Sequence, residues 1–217
     1  MNKLIIFDYD GVIVDSFLPL YQVYKSICRN LGIFYPSTVS EFRDAFGYNH
    51  QELFKNLGIK TNNDLNKAEK VYRREVIKHN LEVFPGIKET LKELSQDYIL
   101  VILSANYRRE IVEKLKKEKL FSYFTLILGK KDTKTQFLKT AAIPEVLERF
   151  KVNKNQVISI GDRNIDYDSS KKCGLKKFII ADYGWGFDKS KAKNKLVITA
   201  KTPLDIIKAV IKLDKIK

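Results

Sequence analysis

Residues 5–16 read IIFDYDGVIVDS, a run of apolar β-formers that ends on two aspartates, Asp8 and Asp10, with Gly11 directly after them. An unbroken apolar run of this kind reads as a strand covered on both faces. Two like charges at its end repel, and the pair is costly unless a cation or a shared proton relieves it. Alternation along a strand sets both carboxylates on one side, aimed at the exit of the sheet, and Gly11 marks a turn where a ligand can approach the backbone closely.

Outward from this stretch, the next comparable strand is YILVILSA, Tyr98 to Ala105. It is fed by the amphipathic GIKETLKELSQD, in which Ile87, Leu91 and Leu94 recur at helical spacing behind Pro85 and Gly86. A helix YRREIVEKLKKEKL, a strand FTLILG, a helix from about Lys134 to Phe150, a strand QVISIGD, a helix IDYDSSKKCG, a strand KKFIIAD and a helix from Pro203 follow. Repeated β-α-β units imply parallel strands with right-handed crossovers, so the expected fold is α/β, a doubly wound three-layer α/β/α sandwich around a parallel sheet. Such sheets bind ligands at the carboxyl ends of their strands.

Between Ser16 and Phe84 the pattern changes to helices alone: LPLYQVYKSICRNLG, STVSEFRDAFG, NHQELFKNLG and NDLNKAEKVYRREVIKHNLE. This block reads as an all-helical cap, residues 16–83, inserted into a core of residues 1–15 and 84–217. A lid of that kind excludes water and selects substrate.

Composition fits this organisation. The chain has 217 residues, 44% hydrophobic and 30% charged, enough for a core domain carrying an insertion. No apolar run reaches the roughly 18 to 20 residues of a membrane span, and the N-terminus acquires acids in place of a signal-peptide cleavage site. The expected location is the cytoplasm, with no membrane partner. Cys28 and Cys173 lie far apart and without a Cys/His cluster, which argues against a disulfide framework or a zinc site. The net charge of +14 is mostly Lys spread over the helical segments; it favours the approach of small anions, and no nucleic-acid partner is expected.

A second acidic pair lies in ISIGDRNIDYD, where Asp162 follows a strand-terminal glycine and Asp166 comes one helical turn later. If the two strand ends are neighbours, Asp8, Asp10 and Asp162 converge as oxygen ligands for a hard divalent ion, most simply Mg²⁺. That ion commonly takes substrate phosphate oxygens, so the cluster suggests phosphoryl chemistry.

With DYDGVIVDS, ILSAN, a following lysine and GDRNID in order across nearly the whole length, the chain resembles the haloacid dehalogenase superfamily, in its phosphatase branch with a helical cap of the first type. The resemblance implies a phosphatase of the phosphoglycolate phosphatase kind. Asp8 would be the nucleophile that forms an aspartyl-phosphate, and Asp10 the acid and base. Asp162 would bind Mg²⁺ with Asp8 and the Asp10 main-chain carbonyl, while Asp166 would hold metal-bound water or orient the lysine. Ser104 would donate to a phosphoryl oxygen, helped by backbone N–H groups at Ala105 and Asn106 at the start of the next helix and by the close approach at Gly11.

The lysine departs from the family's usual Lys-Pro pair. GKKDTKTQFLK offers Lys134 as the first choice, with Lys130, Lys131 and Lys139 as competitors. In the cap, Arg43 is a candidate for a substrate carboxylate or distal phosphate. ADYGWGF after the last expected core strand is a candidate rim of the pocket. Asp10 argues against dehalogenation and C–P cleavage, which dispense with that acid. A sugar phosphomutase and a catalytically idle, metabolite-binding or protein-binding member remain as alternatives. A small phosphorylated substrate and a monomer or homodimer are expected.

Overall fold

The computed structural model describes residues 3–46, 50–76, 78–130, 137–192 and 194–216. The chain divides into two compact units, Met1–Val14 with Val83–Lys217, and Asp15–Glu82. The strands are β1 (Leu4–Phe7), β2 (Val14–Asp15), β3 (Glu82–Val83), β4 (Ile99–Tyr107), β5 (Leu126–Lys130), β6 (Val157–Gly161), β7 (Lys177–Ala181) and β8 (Val197–Ala200). Helices α1 (Phe17–Leu31), α2 (Val39–Phe46), α3 (His50–Asn56) and α4 (Asn62–Val76) form the smaller unit. The larger unit carries α5 (Ile87–Leu94), α6 (Arg108–Lys117), α7 (Lys139–Phe150), α8 (Asn164–Lys172) and α9 (Pro203–Asp214).

β2 pairs with β3, and the other six strands form one sheet in the order β5-β4-β1-β6-β7-β8, with every neighbouring pair parallel. β1 is central, as an apolar run covered on both faces requires: no residue of Leu4–Phe7 is more than 3% exposed. Leu4 and Ile6 pack with Val101, Leu103, Val157 and the α7 residues Ala142, Ile143 and Val146. Ile5 and Phe7, by alternation, face the opposite layer. There α5 buries Ile87, Leu91 and Leu94, α9 buries Ile206, Val210 and Leu213, and the Thr90 hydroxyl lies 2.9 Å from the Pro203 carbonyl, joining the two helices. Each such side chain removed from water contributes about 1.5–3 kcal/mol. The doubly wound α/β sandwich read from the sequence is the fold observed.

Two boundaries differ from expectation. α7 begins at Lys139 rather than Lys134, because Leu138 is extended (φ −118°, ψ 118°). β4 runs on to Tyr107, which pairs with Lys130 after a register shift beyond Leu103, so α6 starts at Arg108 and Asn106 belongs to the strand extension, not to a first helical turn. β2, β3 and β8 have no counterpart among the expected strands, and β3 falls inside the block read as helices alone.

In the smaller unit, the fully buried Phe42 gathers the rings of Tyr21 at 5.3 Å and of Phe17 and Tyr24 at 5.8 Å. Among the described residues no helix is long and apolar enough to cross a membrane.

Candidate active site

Phe7 stands opposite Ile102 of β4 and Ile160 of β6, so the residues just past these positions, Asp8, Ser104 and Asp162, emerge together at the carboxyl edge of the sheet. The Asp8 N–H donates to the Ile160 carbonyl at 2.9 Å and extends the β1–β6 pairing by one residue. The regular strand then stops. Tyr9 buries its ring, its carbonyl accepts from the N–H groups of Ile13 (2.9 Å) and Val14 (3.2 Å), and the chain turns. Strand alternation therefore does not place the two acids. Asp8 meets Lys139 at 2.7 Å, whereas the Asp10 carboxylate accepts from the Asn106 side-chain amide at 2.7 Å.

The Asp8 Oδ1 atom also accepts from the Tyr9 N–H at 2.8 Å. The Lys139 ammonium bridges Asp8 and Asp166, 2.6 Å from the latter. The other Asp166 oxygen accepts from the Arg163 N–H at 3.1 Å at the start of α8. Asp166 therefore contacts the lysine and the start of the helix at once. Asp162 is fully buried; its Oδ2 accepts from the Trp185 N–H at 2.7 Å, and its Oδ1 has no hydrogen-bond partner among the described residues. Lys134 and Lys131 lie outside the described residues. The Lys130 ammonium lies 4.7 Å over the Tyr107 ring, and among the described residues the ammonium in contact with Asp8 is that of Lys139.

Asp8, Asp162 and Asp166 each offer an oxygen within 4.8 Å of the others, so the carboxylates brought together are these three and not Asp8, Asp10 and Asp162. Among the described residues the ammonium that pairs with these carboxylates is that of Lys139, so negative charge outweighs it when all three are ionised, and Arg163 offsets part of the excess at Asp162. Burial pushes the Asp8 carboxyl up to about 7, with Lys139 pulling the other way and Asp166 and Asp10 adding to the rise. Burial likewise drives Asp162 well above the usual carboxylate range, with Asp166 and Asp8 reinforcing it. For Lys139 burial opposes the charge, but Asp166 and Asp8 outweigh it and hold the ammonium above its ordinary range. The orphaned Asp162 oxygen, the all-oxygen donor set and the charge deficit fit a hard divalent cation.

Gly11 is required by this geometry. Its φ is +70°, and a Cβ there would collide with Asp162 Oδ2 and come within 2.9 Å of the Trp185 ring. Its N–H donates to the Val14 carbonyl at 2.9 Å. Ser104 is fully buried and its Oγ accepts from the Asn106 N–H at 3.1 Å, while Ala105 is exposed. The Gly11 and Asn106 N–H groups thus already have acceptors within the protein. Arg43 belongs to the smaller unit, where its guanidinium lies 4.7 Å over the Phe17 ring. In ADYGWGF the Tyr183 hydroxyl donates to the Val12 carbonyl at 2.9 Å, and the Trp185 backbone fixes Asp162. The Tyr183 side chain thus braces the loop after Asp10, while Trp185 holds Asp162 through its backbone, a role that no side-chain pattern announces.

The profile of the haloacid dehalogenase-like hydrolases matches residues 5–180. A phosphoglycolate phosphatase from Synechococcus elongatus is 25% identical over 97% of this chain and 98% of its own length. A phosphorylated carbohydrates phosphatase from Thermotoga maritima is 25% identical over 81% of this chain and 83% of its own. Among solved structures, a haloacid dehalogenase-like family hydrolase from Streptococcus pneumoniae superposes with a TM-score of 0.81 at 22% identity, covering 95% of this chain and 97% of that one. With the sheet order, the paired acids at two strand ends and a profile match over most of its length, the chain belongs to the haloacid dehalogenase-like hydrolase family.

Proposed function

We propose that the chain is a Mg²⁺-dependent phosphatase that hydrolyses small phosphomonoesters through an aspartyl-phosphate on Asp8. One observation carries the reading: two aspartates separated by a single residue have different partners, Asp8 the Lys139 ammonium and Asp10 the Asn106 amide. Environments that differ in this way divide paired carboxylates into a nucleophile and an acid/base.

The Asp8 carboxylate attacks phosphorus, the ester P–O bond breaks, and the leaving oxygen takes its proton from Asp10. Asp10, now ionised, takes a proton from the water that attacks the acyl phosphate, which returns Asp8 and releases inorganic phosphate. Lys139 neutralises Asp8 and the incoming phosphoryl group as a compact point charge, with Asp166 keeping it in place. The Ser104 hydroxyl and the Ala105 N–H are the proposed phosphoryl donors. Asp8 and Asp162, with the Asp10 main-chain carbonyl, would hold the divalent ion, whose charge would let Asp8 stay ionised and which would supply Lewis-acid chemistry. The inserted helical unit is proposed as the substrate-selecting cap. The names of the relatives favour a phosphoglycolate-like or sugar phosphate substrate.

Turnover of a panel of phosphate esters, with Mg²⁺ or EDTA, tests the reading. The expected result is hydrolysis of a subset of small esters that disappears with EDTA and in Asp8→Asn. No turnover of any ester, or an active Asp8→Asn protein, would overturn it.

A further inference from the structure

The site contains a side chain with no task in the mechanism above. Asn106 stands in the extension of β4 beyond Ser104, where the register with β5 shifts between Leu103 and Tyr107. Three contacts define its position. Its N–H donates to Ser104 Oγ at 3.1 Å, its amide Nδ2 donates to Asp10 Oδ2 at 2.7 Å, and its carbonyl packs over Gly129 of β5. A Cβ on Gly129 would come within 2.7 Å of that carbonyl and 3.0 Å of the Arg108 backbone, so a glycine there permits the close approach of β5 to this part of β4.

We infer that Asn106 is the positioning residue for Asp10: its amide holds Oδ2 and so sets the direction in which the carboxyl group delivers the leaving-group proton. The inference rests on the phosphatase reading and assigns to the side chain a role separate from phosphoryl binding. The chemistry is directional. In a neutral carboxyl group the carbonyl oxygen is the better acceptor, so an amide N–H on Oδ2 favours the acidic proton on Oδ1. A carboxyl group held through Oδ2 cannot swing freely about its bond, and proton transfer depends on that aim.

Such a role has a signature that a structural or phosphate-binding role lacks. Loss of the aim slows the cleavage of esters whose alkoxide leaving group needs a proton and spares p-nitrophenyl phosphate, whose phenolate leaves without one. The comparison uses kcat/KM, which covers the steps through formation of the aspartyl-phosphate; the later attack of water is common to both esters. Asn106→Ala and the bulk-preserving Asn106→Leu are compared with wild type on p-nitrophenyl phosphate and on the best alkyl ester of the panel, with melting curves as a check on folding. General acid catalysis contributes about 10²–10⁴-fold, and the expected result is a kcat/KM loss on the alkyl ester at least roughly tenfold larger than on the aryl ester, in both variants. Equal losses on the two esters, a larger loss on the aryl ester, or no loss would overturn the assignment while the phosphatase reading stands. Wild-type protein inactive on both esters would instead overturn the phosphatase reading, and this assignment with it.

Discussion

Replacing Lys139 by Met keeps most of the stem's bulk and removes the ammonium that stands 2.7 Å from Asp8 and 2.6 Å from Asp166. The three side chains are 17%, 13% and 4% exposed, so water replaces little of what is lost. Breaking a buried pair by deleting one partner costs about 3–5 kcal/mol. For a chain of this size that is a fall in Tm of about 10 °C, at roughly 2–4 °C per kcal/mol. The cost depends on pH in a defined direction. Asp8, already pushed up to about 7 with Lys139 present, rises further without it and escapes part of the penalty by binding a proton. The destabilisation of Lys139→Met is therefore larger at pH 8.5 than at pH 5.5. Urea unfolding in EDTA at the two pH values measures it, and kcat/KM with Mg²⁺ should drop by roughly 10²–10³, as for loss of one preorganised charge. A variant within about 1 kcal/mol of wild type at pH 8.5, below the 3–5 kcal/mol expected for a buried pair, would refute the reasoning. So would retained activity, or Lys134→Ala abolishing turnover while Lys139→Met does not.

Other consequences are as direct. Gly11→Ala forces a Cβ into Asp162 Oδ2 at a φ of +70°, and the Mg²⁺ concentration for half-maximal activity should rise by at least roughly tenfold, the size seen when groups that orient metal ligands are lost. Ser104→Ala should lower kcat/KM by roughly 10²-fold if its hydroxyl donates to the phosphoryl group, with a smaller effect on Tm. In EDTA, stability should fall as pH rises from about 4 to about 7, because the folded Asp8 carboxyl binds a proton in a window where its unfolded counterpart, near 3.8, does not. Saturating Mg²⁺ should flatten that slope, and urea midpoints at pH 5 and pH 8 with and without the ion check both signs.

The sheet was legible because β1, β4, β6 and β7 are buried on both faces and so read as near-continuous apolar runs separated by helical periods. β8 was not, because only Ala200 of its four residues is buried and a half-exposed edge strand carries no such run. The acids were legible as residue types at strand ends, but their partners were not. Side-chain alternation describes strands, and β1 stops at Phe7, so the turn around Tyr9 sends Asp8 toward Lys139 and Asp10 toward Asn106. Among four lysines in GKKDTKTQFLK, spacing alone could not single out Lys139. The deciding fact is the start of α7, where an extended Leu138 delivers Lys139 as the first helical residue, and apolar periodicity is insensitive to such boundaries. The Trp185 N–H on Asp162 leaves no sequence trace, since any non-proline residue presents that group.

The proposed mechanism turns on phosphorylation of Asp8 during turnover. Enzyme quenched under steady-state turnover and treated with borohydride, which reduces an acyl phosphate to the alcohol, can be digested and sequenced by mass spectrometry. The account predicts homoserine at position 8, dependent on substrate and Mg²⁺ and absent from Asp8→Asn protein. Reduction at Asp10, Asp162 or Asp166 instead, or no reduced residue in an enzyme shown to accumulate its intermediate by burst kinetics, would contradict it.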